Sequence, residues 1–387
     1  MSEAVVVGMP FDLDGLLRLA IERRASDLHL KVGAPPVFRI DHQLVPVEDR
    51  PRLTQVDLET TVGLVATELQ RQQFVQHREL DVSYGIAGLG RFRTNLFQQR
   101  GMVGATFRVI PLKIETIEDL NLPPIIEKLA MEPRGMVLVT GTAGSGKSTT
   151  LAAMIGYINS HGAGHIVTIE DPIEFLHQDN RCLINQREVG IDTESFAGAL
   201  RSALRQDPDA ILVGEMRDFD TISTAIVAAE TGHLVLSTLH TVDAAETVNR
   251  IIAIFPPYQQ KQIRMQLASL LRGVISMRLI PRADGTGRVP AVEVMVVTAT
   301  IRECIANADK TKNIPEVIAA GTSEYGMQTF DQSLMSLYQR DLISYKEALR
   351  WSSNPNDFAL KVRGIESGAD QPWTSERKGN LREPKPH

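Results

Sequence analysis

The segment Gly141-Thr142-Ala143-Gly144-Ser145-Gly146-Lys147-Ser148 has the spacing G-x-x-x-x-G-K-[ST], and Thr149 continues it. The apolar run Met136 to Thr140 precedes it, and Leu151, Met154, Ile155 and Ile158 follow at helical spacing. A strand, a glycine-rich turn and a helix start are the context in which this spacing cradles phosphate. Glycines let the main chain curl so that its N–H groups, with the positive end of the helix near Lys147, face a triphosphate. Lys147 suits the β- and γ-phosphates, and the Ser148 hydroxyl suits magnesium. The expected ligands are ATP and Mg2+.

Phosphoryl transfer to water also needs a carboxylate to place or deprotonate the water, and donors to meet the developing charge. Ligands of a parallel sheet gather beyond the carboxyl ends of its strands. Three apolar runs end in suitable groups: His165 to Ile169 before Glu170-Asp171-Pro172-Ile173-Glu174, Ala210 to Val213 before Gly214-Glu215, and Leu234 to Leu239 before His240. Glu215 is assigned to magnesium or its water shell, although Gly214 stands where many P-loop enzymes carry aspartate. Glu174, released by the Pro172 turn, is the general-base candidate, and either acid could hold the other's role. His240 is the γ-phosphate sensor candidate, with His233 a weaker one. Arg201 and Arg205, four apart on one helical face, suit salt bridges and phosphate contacts equally. Arg91, Arg93 and Arg108 lie in strand-like segments, with no obvious partner in sequence for Arg91 or Arg93. They are arginine-finger candidates, against the alternative of a solvated strand face.

Several elements must position these groups. Leu13, Leu16, Leu17, Ala20 and Ile21 have helical spacing, whereas Gly90 to Phe97 alternates with period two and puts Arg91, Arg93 and Asn95 on one face. Residues 1–110 therefore read as a small α+β domain. Pro111 and Pro123-Pro124 bracket a linker over 111–124. Beyond it, strand-like and helix-like stretches alternate, which predicts an α/β domain over 125–365 with a parallel sheet covered by helices. Helical periodicity dominates after about Tyr258, apart from a strand-like Val289 to Val297, and 366–387 reads as a disordered tail.

The 387 residues carry 41 Lys and Arg against 47 Asp and Glu, a formal charge of −6, and 43% are hydrophobic. That balance fits a globular chain and lacks the basic footprint of a protein that coats nucleic acid, so none is expected as partner. Cys182 and Cys304 are too few for a disulfide scaffold or a four-cysteine zinc site. No apolar stretch reaches the roughly 18 to 20 residues of a membrane span. The expected location is cytoplasmic.

The motifs together resemble those of the secretion and pilus ATPases, the GspE/PilT superfamily. The resemblance rests on Ala25-Ser-Asp-Leu-His29, Gly90-Arg-Phe-Arg93, Gly141 to Ser148, Thr168 to Glu174, Leu204 to Asp218, Ser237 to Glu246, Gly326 to Asp331 and Asp357 to Leu360. Within that family the chain is most similar to the motors that retract type IV pili and drive twitching motility. The resemblance implies a PAS-like domain followed by a RecA-like domain, with ATP bound between them and subunits arranged as a homohexamer. It puts Glu170 to Glu174 in an Asp box, Glu215 in an atypical Walker B motif and His240 in a His box. It has arginines of the first domain, here Arg91, Arg93 and Arg108, reach the nucleotide at closure. It also implies an inner-membrane pilus platform protein (PilC-like) and a PilU-like ATPase as partners, and a place on the cytoplasmic side of that membrane. Thr300 to Asn307 lies where retraction-type members carry an Ala-Ile-Arg-Asn-Leu-Ile-Arg-Glu-like helix. Assembly and type II secretion members add N-terminal domains and a tetracysteine insertion, for which this chain has too few cysteines. From other classes, a RecA-like nucleic-acid translocase would need a basic pore and a non-hydrolysing scaffold would be indifferent to Glu174 and Glu215.

Overall fold

The computed structural model describes residues 11–40, 43–110 and 114–364. Its first part is a six-stranded antiparallel sheet of order β3-β2-β1-β6-β5-β4, formed by β1 Asp27–Lys31, β2 Val37–Ile40, β3 Gln43–Pro46, β4 Glu79–Ile86, β5 Gly90–Gln99 and β6 Met102–Val109. Three helices accompany it: α1 Leu13–Glu22, α2 Gln55–Val65 and α3 Glu68–His77. Asp12 caps α1, and Thr54 and Thr67 begin capping boxes on α2 and α3, satisfying amides that a helix start leaves free. The predicted alternation of β5 holds: Phe92, Thr94 and Leu96 are buried, and Arg91, Arg93 and Asn95 face the other way. Register then sets Asp27 of β1 beside Arg108 of β6, and Arg108 beside Arg93 of β5.

The second part is a seven-stranded sheet of order β13-β12-β7-β11-β10-β8-β9. Its strands are β7 Gly135–Thr140, β8 His165–Glu170, β9 Leu183–Glu188, β10 Ala210–Val213, β11 Leu234–Leu239, β12 Leu271–Pro281 and β13 Arg288–Val296. The helices α4 Ile125–Ala130, α5 Lys147–His161, α6 Phe196–Ala203, α7 Phe219–Glu230, α8 Ala244–Ala253, α9 Pro257–Leu270, α10 Ala299–Ala306 and α11 Ile314–Ala320 accompany it. Two separate apolar clusters, one built on Met136, Leu138 and Val235 and the other on Val137, Val139 and Leu236, mark a sheet covered on both faces. Every residue of β7, β10 and β11 is buried, which is why these strands read as unbroken apolar runs.

Two expectations need correction. The sheet is not wholly parallel, because β12 runs parallel to β7 but antiparallel to β13. Residues 271–281 also lie in a long strand rather than in helical sequence. The strand starts directly at the end of α9 with no glycine or proline between them, so no local breaker announces the change. Residues 114–124 contain no helix or strand, as their prolines require, yet Ile117 and Leu122 are buried with Leu151, Met154 and Ile155. This stretch therefore packs onto the second sheet. The rest of the expected linker, 111–113, and the expected tail, 366–387, fall outside the described residues.

Candidate active site

The turn from β7 to α5 uses glycine where side chains have no room. Gly141, Gly144 and Gly146 have φ of 143°, 72° and 98°. A Cβ at Gly141 would meet Ser145 Oγ at 2.5 Å and the Met277 carbonyl at 2.6 Å. Lys147 Nζ donates to the carbonyls of Gly141 (2.9 Å) and Thr142 (3.0 Å), which fold the loop around the ammonium. Burial lowers the Lys147 pKa, while the charges of Glu215 and Glu174 raise it, so both predicted acids act on this lysine. Ala143, Ser148 and Thr149 lie in the same turn or the first turn of α5, on the side where helix amides are free. Ser145 Oγ is buried with no hydrogen-bond partner. An orphaned hydroxyl, a cradle that a Cβ would fill and free helix amides together fit a phosphate chain.

Glu215 follows β10 and His240 follows the neighbouring β11. The two loops are stitched together: Thr238 Oγ1 donates to the Gly214 carbonyl (2.7 Å), and the Met216 N–H donates to the Thr238 carbonyl (3.2 Å). His240 Nε2 consequently lies 3.0 Å from Glu215 Oε1. The Arg217 guanidinium donates to the same oxygen. Arg217 is a contact of the candidate acid to which sequence reasoning gave no role, and its position two residues after Glu215 was the available signal. Glu174 is exposed, and its N–H donates weakly to Glu170 Oε2 at 3.4 Å. Glu170 is half-buried, desolvation pushes its pKa up, and it accepts from Thr168 (2.6 Å) and Gln186 (3.2 Å). It braces the turn that presents Glu174.

The three arginines occupy different settings. Arg91 is not partnerless: its Nη2 donates to Glu188 Oε2 at 2.8 Å, and Glu188 also accepts from the Ser83 hydroxyl (2.7 Å) and the Ile173 N–H (3.3 Å). The buried Glu188 thus joins the first sheet to the segment that carries Glu174. Its sequence separation of 97 residues from Arg91 hid the pairing. Arg108 donates to Asp27 Oδ1 at 3.0 Å, and Arg39 reaches the same carboxylate at 3.7 Å. Arg93 is exposed and, among the described residues, makes no ion pair. None of the three hydrogen-bonds to a residue of the phosphate loop. His233 bonds the end of α7 through Ala228 and Thr231, and the Arg205 guanidinium donates to the Arg201 carbonyl. Among the described residues no group of three or more His, Cys, Asp or Glu could hold a metal ion.

A phosphate loop at β7, a histidine after adjacent β11 and an acid after the next strand define a P-loop nucleoside triphosphatase with a RecA-like sheet. The model of the family described as "Type II/IV secretion system protein" matches residues 115–340. The chain is 45% identical to the type IV pilus retraction ATPase PilT of Pseudomonas aeruginosa, across 90% of this chain and 100% of that protein. It is 42% identical to the type IV pilus ATPase PilU of the same organism, across 93% of this chain and 94% of that one. A crystal structure of the pilus retraction motor PilT with bound ADP superposes with a TM-score of 0.80 and 45% identity, covering 88% of this chain and 97% of the other. The chain belongs to this family of secretion and pilus ATPases. Among the described residues no helix is long and apolar enough to cross a membrane.

Proposed function

We propose that the chain hydrolyses ATP in a homohexameric ring and uses the energy to retract type IV pili. The observation that carries the chemistry is a glycine turn folded around the Lys147 ammonium, with the buried Ser145 hydroxyl left without a partner, and Glu215 against His240 at the ends of the neighbouring strands. In this reading the amides of 141–149 and Lys147 bind the phosphates, and Ser148 with Glu215 holds magnesium. A bound magnesium ion would offset phosphate charge and orient the terminal group. Glu174 takes the proton from the attacking water, and its exposure leaves room for that water. His240, oriented by Glu215, donates to the terminal phosphate. One or more of Arg91, Arg93 and Arg108 crosses from the first domain to meet charge in the transition state.

Differential affinity supplies the work. Groups that prefer the triphosphate favour a closed arrangement of residues 1–110 on 125–365 about the 111–124 linker, and release of phosphate relaxes it. The motion would pass to a PilC-like platform protein from the cytoplasmic side of the inner membrane. Glu174→Ala should abolish turnover with ADP binding unchanged; normal turnover removes Glu174 from the reaction. A deletion strain that keeps surface pili but loses twitching supports retraction, whereas bald cells indicate assembly. The extensive likeness to PilU favours a second reading, an accessory motor beside a PilT-like ATPase. A deletion strain that still twitches until a second retraction ATPase is removed would support it.

A further inference from the structure

Glu293 lies in the middle of β13, is 6% exposed and has no role in the site described above. A buried carboxylate is costly unless something holds it. Its Oε1 accepts from the Ala244 N–H at 2.9 Å, the first amide of α8, where the helix leaves donors free and carries its positive end. The loop from His240 to Asp243 runs directly into that amide. It is tied at every residue after the histidine: Thr241 to Thr247 (2.6 Å), Val242 N–H to Glu246 (3.0 Å), and Asp243 to the Glu246 N–H (2.7 Å). All of those ties lie within the loop and α8 themselves. Glu293 adds a polar tie between the first turn of α8 and the sheet, beside Ser276, whose hydroxyl meets Thr140 at the end of β7, while Ala244, Val248, Ile251 and Ile252 hold the helix by apolar packing. Without it, the start of α8 keeps only apolar contact with the sheet, which fixes direction less sharply than a hydrogen bond, and the loop that carries His240 loses its polar fix.

We propose that Glu293 is a positioning residue for turnover, anchoring the start of α8 so that His240 stays against Glu215. The inference rests on the reading of His240 as a terminal-phosphate ligand. The charged groups around Glu293 are Asp243 on α8, Arg278 on β12 and Asp331 on the helix Phe330–Gln339. Arg278 packs over the Phe330 ring and donates to the Trp351 carbonyl (3.0 Å), so it makes no ion pair with Glu293. Burial pushes the carboxyl up to about 7, with Asp243 and Asp331 adding to the rise and the Ala244 amide and Arg278 opposing it. The ionised form grips the amide more strongly than the neutral acid, so the anchor tightens as pH rises through neutrality.

The test compares the full chain with Glu293→Leu and Glu293→Gln, measuring kcat and KM for MgATP from pH 6 to 8.5 and the Kd for ADP. Leucine fills the space without an acceptor, and kcat should fall by about tenfold or more while the ADP Kd stays put. Glutamine keeps the acceptor but cannot ionise. Its kcat should lie within about twofold of the parent at pH 6, and the parent should gain on it between pH 6 and 8. A folded leucine variant with parental kcat overturns the proposal, as does an ADP affinity that falls in step with kcat. If the leucine variant does not fold, parallel pH profiles for parent and glutamine variant overturn it alone. Failure of the site reading looks different, because His240→Ala would then turn ATP over normally.

Discussion

Glu188 gives a measure of what it costs to move Arg91 to a nucleotide. In this structure the Arg91 guanidinium and the Glu188 carboxylate are 2.8 Å apart, with side chains 22% and 5% exposed, so water screens the pair only in part. Glu188→Gln leaves an acceptor for Ser83 or Arg91 but removes the charge. The guanidinium still donates to the amide oxygen, and what is lost is its attraction to the carboxylate charge, so the substitution should loosen Arg91 by about 1 kcal/mol. If Arg91 must leave Glu188 before it can meet the terminal phosphate, that release favours the triphosphate-bound arrangement by the same amount, or about fivefold in affinity. Titration with a non-hydrolysable ATP analogue and with ADP checks this. The analogue should bind about fivefold more tightly to the variant, with ADP unchanged. Equal changes for the two nucleotides, or weaker analogue binding, would refute the idea that Glu188 and the nucleotide compete for one arginine.

Arg93 has no carboxylate partner among the described residues, whereas Arg108 shares Asp27 with Arg39. Arg93→Ala should therefore lower kcat more than Arg108→Ala, by up to about a thousandfold if it is the transition-state arginine, and equal losses would remove that ranking. Gly141→Ala places a methyl group 2.5 Å from Ser145 Oγ at a φ of 143°. It should cost about 1–3 kcal/mol of stability and abolish ADP binding, read by thermal melting and titration. The raised carboxyl of Glu293 fixes the sign of a stability trend. An acid that binds its proton more tightly when folded favours the folded chain at low pH and loses that advantage as pH climbs from 4.5 to about 7. Glu293→Gln should gain stability relative to the parent across that window, by no more than about 3 kcal/mol, and a constant melting difference would contradict it.

What could be read from the sequence was what the chain specifies over short distances. The phosphate loop, the acid after β10 and the histidine after β11 each sit at the end of an apolar run, and the runs are apolar because those strands are buried on both faces. Alternation in β5 likewise fixed which way its arginines point. The failures share a different cause. Strand β12 continues straight out of a helix, and β9 is mostly polar, so neither carries a local signature. The partners of Arg91 and Arg108 come from strands 97 and 81 residues away.

That division bears on mechanism. The groups proposed to bind and cleave the triphosphate come from strand ends of a single sheet. The arginines belong to the other sheet, where two of the three already rest on carboxylates, Glu188 and Asp27. A charge already satisfied gains nothing by moving unless the new partner binds it more strongly than the old one. A triphosphate carries more charge near its terminal oxygens than ADP offers, so the exchange is favourable in one nucleotide state and not in the other. In the proposed mechanism the resting ion pairs would set how sharply domain closure distinguishes ATP from ADP, and stronger pairs would sharpen that distinction at the expense of speed.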